Sequence, residues 1–262
     1  MSTINIKEFG LIASDMEGGD SDWVFAVTQL LRWIVVEDKR VYSFSVHTYN
    51  DYDINPDPPH QPLYLNDIRK ILCDNKVTKI LDVGCGDGNF SESLSDLGFI
   101  IYGFDLEPSG VARAQSREKG HFVIGDIYSD YKNLFKEDIE FDAVISIEVI
   151  EHLYDPKKFL YNCNKILPQE GLLLITTPYW GYLKNIFLSI FNRMDELFTV
   201  HWDGGHIKHF SHKSLSTMVE NYGFEEIYFK GAGRKIPFLW SGMLVVFRKK
   251  TEIETFVRQY EH

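Results

Sequence analysis

The chain has 262 residues, 44% hydrophobic, 25% charged and 15% aromatic, with a formal net charge of −11 and an isoelectric point near 5.3. That length suits one sizeable α/β core without a second full domain, and the acidic balance counts against any function that rests on broad contact with phosphate backbones. Three widely spaced cysteines, Cys73, Cys85 and Cys163, form neither a disulfide framework nor a zinc knuckle and suit a reducing cytoplasm.

The first residues carry acids and lack a basic start followed by a long apolar run, so they do not read as a signal peptide. Within them DWVFAVTQLLRWIV is apolar at helical spacing and is expected to pack on the core or roof a pocket. Residues 1–62 read as an extension or cap ending in the proline-rich NPDPPHQPL, which enters a helix at LNDIRKIL. Residues 63–249 form the core domain and residues 250–262 a tail.

From Val77 onward seven strand patterns appear: VTKILDVG, IIYGFD, HFVIGD, FDAVISI, GLLLITT, EEIYFKG and SGMLVVFRK. Helical patterns separate them: NFSESLSDLG, SGVARAQSREKG, EVIEHLYDPKKFLYNCNKIL and SHKSLSTMVENYG, the last opened by Ser211 as N-cap. This alternation predicts βαβ units and a mostly parallel sheet. Residues 178–210, between the fifth strand and the last helix, are long enough to be a lid. Their most apolar part, YWGYLKNIFLSIF, contains Lys184 and is too short to span a bilayer.

Directly behind the first strand the glycines run Gly84, Gly86, Gly88, with Asp82 ahead of them and Asn89 where a dinucleotide-binding turn needs its third glycine. The spacing therefore favours a ligand that needs close backbone approach without a pyrophosphate. The second strand closes on Asp105 and Leu106, the third on Gly125, Asp126 and Ile127, and the fourth on Ile147.

These pieces, in this order over residues 77–249, resemble the class I S-adenosylmethionine-dependent methyltransferases, whose first motif is similar to DVGCGDG at 82–88. The resemblance implies a Rossmann-like α/β sheet of order 3-2-1-4-5-7-6 with helices on both faces, with the last strand antiparallel and chemistry at the carboxyl ends of the strands. It implies S-adenosylmethionine as cofactor, lying against Asp82, Gly84, Cys85, Gly86 and Gly88. Asp105 would accept both ribose hydroxyls, next to Leu106. Asp126 would meet the adenine amino group, Ile127 its ring edge, and Ile147 the rim nearby.

Beyond the fourth strand, Glu148, Glu151 and His152 stand at i, i+3 and i+4 of an expected helix, so two carboxylates and an imidazole would share one face and suit a divalent cation. Downstream, HWDGGHIKHFSHKSL carries His201, His206, His209 and His212. The E-x-x-E-H element resembles that of small-RNA 2′-O-methyltransferases and ubiquinone-pathway O-methyltransferases. The RNA group takes a further ligand shortly before the helix cap, here His206, so the implied metal set is Glu148, Glu151, His152 and His206 with Mg²⁺ or a similar ion. Without metal, His152, His206 or His209 is the candidate general base.

The expected activity is methylation of a small-molecule hydroxyl. The HI-x-x-FS element and the pair Gly223 and Phe224 are similar to those of enzymes that modify sugars and surface polysaccharides. RNA 2′-O-methylation is a second reading, against which the acidic charge and the lack of an RNA-binding appendage count. A cofactor-binding partner protein without catalysis is a third. Nucleic acid and a membrane span are not expected.

Overall fold

The computed structural model describes residues 61–135, 139–194, 198, 205–233 and 237–256. All belong to the larger of two units, residues 46–262. The apolar pattern DWVFAVTQLLRWIV, the rest of residues 1–60, His201 and the end of the tail lie outside the described residues.

The elements run α1 (Gln61–Asp74), β1 (Lys79–Val83), α2 (Asn89–Ser95), β2 (Ile100–Asp105), α3 (Pro108–Ser116), β3 (His121–Ile124), β4 (Ala143–Ile147), α4 (Pro156–Ile166), β5 (Leu172–Pro178), α5 (Tyr182–Ile190), α6 (His212–Glu220), β6 (Phe224–Ala232) and β7 (Gly242–Lys249). The seven strands form one sheet of order β3-β2-β1-β4-β5-β7-β6. Neighbours from β3 to β5 pair in parallel, whereas β7 is antiparallel to both β5 and β6. The predicted fold class and strand order are those observed.

The central strands are continuous apolar runs because both faces are covered. Along β7, Met243, Val245 and Phe247 enter one core with Phe159, Leu160 and Cys163 of α4 and Leu215 and Val219 of α6. Leu244 and Val246 enter the other, with Tyr64, Ile68 and Leu72 of α1, Phe90 and Leu94 of α2, and Val111 and Ala114 of α3. The period of two along each strand thus feeds two cores at once.

Two predicted boundaries need correction. The last residues of NPDPPHQPL belong to α1, whose first turn holds Pro62 at a position where a missing N–H costs nothing. The single helix expected over 148–167 is a 3₁₀ turn at Ile150–His152 followed by α4. Glu148 has φ 56°, outside the helical region. Asp155 accepts from the Lys158 amide at 3.1 Å and Pro156 fills the first position of α4, so an Asp-Pro start signal governs. The expected N-cap Ser211 is observed, with Ser214 completing a reciprocal capping pair. Within the predicted lid, α5 buries none of its residues and leaves Tyr182 and Ile190 exposed. No described helix is long and apolar enough to cross a membrane.

Candidate active site

The glycine turn folds over the end of β2, with the Gly84 and Cys85 amides both donating to the Phe104 carbonyl at 3.0 and 3.1 Å. Gly84, Gly86 and Gly88 take φ of 80°, 53° and 77°, a region that favours glycine. Two of them are also small for reasons internal to the chain. A Cβ at Gly84 would lie 2.6 Å from Cγ2 of Val149, and one at Gly88 would lie 2.8 Å from Cβ of Ala114 on α3. Packing inside the chain thus requires small residues at these two positions in addition to the close ligand approach expected from the spacing. Arg117, just beyond α3, locks the loop further: its guanidinium donates to the Asp87 carbonyl at 2.8 Å and to the Asp87 carboxylate at 3.0 Å.

Asp82, expected at the head of the turn, lies in β1 with its carboxyl hydrogen-bonded to α2. It is buried, and Ser91 Oγ at the start of α2 donates to its Oδ2 at 2.6 Å. Burial pushes its carboxyl up to about 7, against the lowering effect of that hydrogen bond. An unfolded carboxylate titrates near 3.9, so this raised group supports folding at acid pH, and its contribution is lost as pH rises from about 4 through about 7. In urea titrations Asp82→Asn should therefore gain stability relative to wild type across that window; parallel curves would refute the assignment.

Asp105 closes β2 with both oxygens engaged by backbone: Oδ2 accepts from the Gly86 amide and Oδ1 from the Glu107 amide, each at 2.9 Å. Burial raises its pKa, and those amides oppose the shift. Leu106 beside it is 70% exposed, and Ile124 at the end of β3 is also exposed, so two apolar side chains flank the edge where a flat ring would lie. Asp126 is exposed and its Oδ1 accepts from the Tyr128 amide at 2.9 Å. The Ile127 carbonyl accepts from the Tyr131 hydroxyl, and Ile147 is half-buried at the end of β4. The Cys85 thiol is pushed up by burial and stays protonated. Gly86, Asp105, Leu106, Asp126 and Ile127 thus converge at the carboxyl ends of β1 to β3, an arrangement that fits an adenosine. With one charged acceptor removed, Asp105→Ala should weaken S-adenosylhomocysteine binding by at least about tenfold in calorimetry. Unchanged affinity would remove Asp105 from the site.

At the ends of β4 and β5 lies an acid–histidine cluster. Ligand atoms of Glu151, His152 and His206 lie within 4.8 Å of one another. Glu148, expected in this set, is outside it, and its backbone just ahead of the 3₁₀ turn is left-handed rather than helical. Glu151 is 1% exposed. Its Oε2 accepts from Thr177 Oγ1 at 3.0 Å, and its Oε1 has no hydrogen-bond partner among the described residues. The Glu151 carbonyl accepts from the amides of Ile207 and Lys208 at 3.0 and 2.9 Å, which is how a distant segment brings His206 to the site. His152 Nδ1 lies 3.3 Å from the Gly205 carbonyl, its Nε2 3.9 Å from Glu151 Oε1, and its ring centroid 5.0 Å from that of His206.

Burial pushes Glu148 up to about 7, while burial and then the Glu148 charge push Glu151 well above the usual carboxylate range. Both acids therefore hold a proton more readily than exposed carboxylates do. His209 stands apart: its ring centroid is 3.9 Å from that of Trp180 and 5.7 Å from that of Phe198, and burial lowers its pKa. His212 pairs with Glu226 at 2.8 Å and stacks on Phe229, a packing role. Thr177 and Gly205 carry no motif, so only the fold reveals their part.

A family profile described as a methyltransferase domain matches residues 60–228. A ubiquinone biosynthesis O-methyltransferase of Cereibacter sphaeroides is 35% identical over 106 residues, covering 38% of this chain and 40% of that protein. One of Glaesserella parasuis is 32% identical over 135 residues, covering 47% and 57%. The chain thus spans about half the length of the curated relatives it matches. An S-adenosylmethionine-dependent methyltransferase from Clostridium acetobutylicum superposes with a TM-score of 0.58 at 12% identity, over 76% of this chain and 96% of that one. The magnesium protoporphyrin IX methyltransferase of Synechocystis, with bound S-adenosylhomocysteine, gives 0.53 at 15% identity, over 73% and 83%. At such identities the likeness is one of fold.

Proposed function

Because the chain belongs to the methyltransferase-domain family, we propose that it transfers the methyl group of S-adenosylmethionine to a hydroxyl of a small molecule. The observation that carries this reading is the convergence of Glu151, His152 and His206 at the carboxyl ends of β4 and β5, beside the glycine turn that ends β1. When bound, the cofactor supplies an electrophilic methyl on a sulfonium. The chain supplies alignment and a proton acceptor. Gly86, Asp105 and Asp126 hold the adenosine end, and His152 or His206 takes the hydroxyl proton as the oxygen attacks in line.

A second reading has the same three residues hold a divalent cation. The donor set fits one: two imidazoles and a carboxylate with an unpartnered oxygen suit Mn²⁺, Fe²⁺ or Zn²⁺ better than Mg²⁺, which prefers oxygen ligands. Ligands about 2.0–2.2 Å from an ion stand at most about 4.4 Å apart, so small side-chain rotations suffice. Such an ion would supply a Lewis acid beside the acceptor oxygen.

The curated relatives are enzymes of ubiquinone biosynthesis by name, so a hydroxylated aromatic is the first acceptor to test and a sugar the second. RNA is expected to fail, given a net charge of −11. The experiment is a mass-spectrometric assay of S-adenosylhomocysteine release and of acceptor mass with 3,4-dihydroxybenzoate, a hexose and a short RNA. A methylated phenol supports the reading, and release with none of the three sinks it. The cytoplasmic setting expected from the cysteines stays part of this proposal.

A further inference from the structure

Three buried oxygens on α1 and on the turn after β4 have no hydrogen-bond partner among the described residues: Tyr64 Oη, Glu148 Oε1 and Glu151 Oε1. Tyr64 is 1% exposed. Its hydroxyl sits over the start of β7, where a Cβ on Gly242 would come within 2.4 Å of it. Gly242 pairs with Pro178, one position beyond Thr177, whose hydroxyl holds Glu151. The phenol is therefore placed at the carboxyl end of β5, and burial, then the charges of Glu148 and Glu151, push its pKa up. Gly242 lacks a positive φ, so the glycine there answers the closeness of the phenol and not a backbone need.

Buried polar atoms are rarely left without partners, and unpartnered ones gather where a ligand completes them. A phenol can donate, and a carboxylate can only accept or share a proton. A hydroxyl oxygen placed among them satisfies both kinds at once, accepting from Tyr64 and donating to the acid–histidine cluster. We propose that Tyr64 is a catalytic residue whose phenol donates a hydrogen bond to the reacting oxygen of the acceptor. The proposal rests on the methyl-transfer reading above. The acceptor oxygen forms the new O–CH₃ bond with a lone pair as the S–CH₃ electron pair passes to sulfur. The hydroxyl proton goes to the cluster, and Tyr64 keeps its own proton while steadying the charge that develops on oxygen. Helix α1 thereby becomes a wall of the acceptor site, although it precedes the first motif of the cofactor fold.

Two variants test this. Tyr64→Phe removes one oxygen that has no described partner, so folding is retained. Gly242→Ala puts a methyl where the phenol head lies. With 3,4-dihydroxybenzoate and S-adenosylmethionine as probes, Tyr64→Phe should lower kcat by about ten- to a hundredfold. S-adenosylhomocysteine affinity should stay within about twofold and the thermal midpoint should not fall. Gly242→Ala should lower kcat in the same direction. Wild-type kcat in Tyr64→Phe means that the phenol meets only an ordered water, and it overturns the proposal while leaving the methyl-transfer reading intact. A fall in the midpoint with kcat preserved does the same by assigning a packing role. A wild type that methylates none of the acceptors tested above, by contrast, overturns the methyl-transfer reading and this role with it.

Discussion

Replacing Glu151 by glutamine or His152 by alanine is expected to lower kcat for methyl transfer by about 10²–10⁴-fold, the range of a lost general base or of a lost metal ligand. Cofactor affinity should hardly change, because neither residue lies on the glycine turn or at the end of β2, where Gly86 and Asp105 meet. The two readings of the cluster then separate on chelation and on pH. A cation held by Glu151, His152 and His206 requires that EDTA abolish activity and that Mn²⁺ or Zn²⁺ restore it. A histidine base requires indifference to EDTA. In that case activity rises with pH as the imidazole loses its proton, and this acidic limb disappears only when the responsible histidine is replaced. Full activity in both variants would remove the cluster from the chemistry altogether. His209, packed on Trp180, serves as the comparison: its replacement should leave the acidic limb in place.

Gly88→Ala is expected to be the most damaging small substitution in the cofactor loop. Its φ of 77° carries a left-handed penalty of about 1–2 kcal/mol. The added methyl meets Cβ of Ala114 at 2.8 Å and its Cα at 3.0 Å, backbone that cannot rotate away, for about 1–3 kcal/mol of overpacking. A total of about 2–5 kcal/mol should lower the thermal midpoint by about 5–15 °C and weaken cofactor binding with it. Gly98→Ala is the internal control. Its φ of 96° is equally left-handed, but nothing lies within 4 Å of the added methyl. It should therefore cost only the strain, about 1–2 kcal/mol. Equal losses in the two variants would show that backbone strain alone decides, and that the contact between the loop and α3 has no energetic weight.

How much of this was legible in the residues follows from the range over which each interaction acts. The seven strands, the glycine turn, Asp105 at the end of β2 and the Ser211 cap are local patterns: period, turn chemistry and capping within a few positions. The sequence therefore determined the elements, and the family resemblance carried their order. The break between Glu148 and α4 is also written locally, in Asp155 and Pro156, and prevails over the helical spacing of E-x-x-E-H.

What the sequence could not determine is which side chains meet. His206 reaches Glu151 because two amides of a distant loop bond the Glu151 carbonyl. Glu148 stays outside the histidine cluster, and its backbone is left-handed where the spacing predicts helix. Tyr64 reaches the start of β7, opposite the end of β5, only because α1 packs against these strands and Gly242 leaves it room. Asp82, which reads as the head of a ligand turn, is bound by Ser91, nine residues on. These outcomes depend on contacts between segments far apart in the chain, which spacing along one segment does not encode. They are fixed only when both cores close on the sheet, since burial then decides which polar groups find partners and which wait for a ligand.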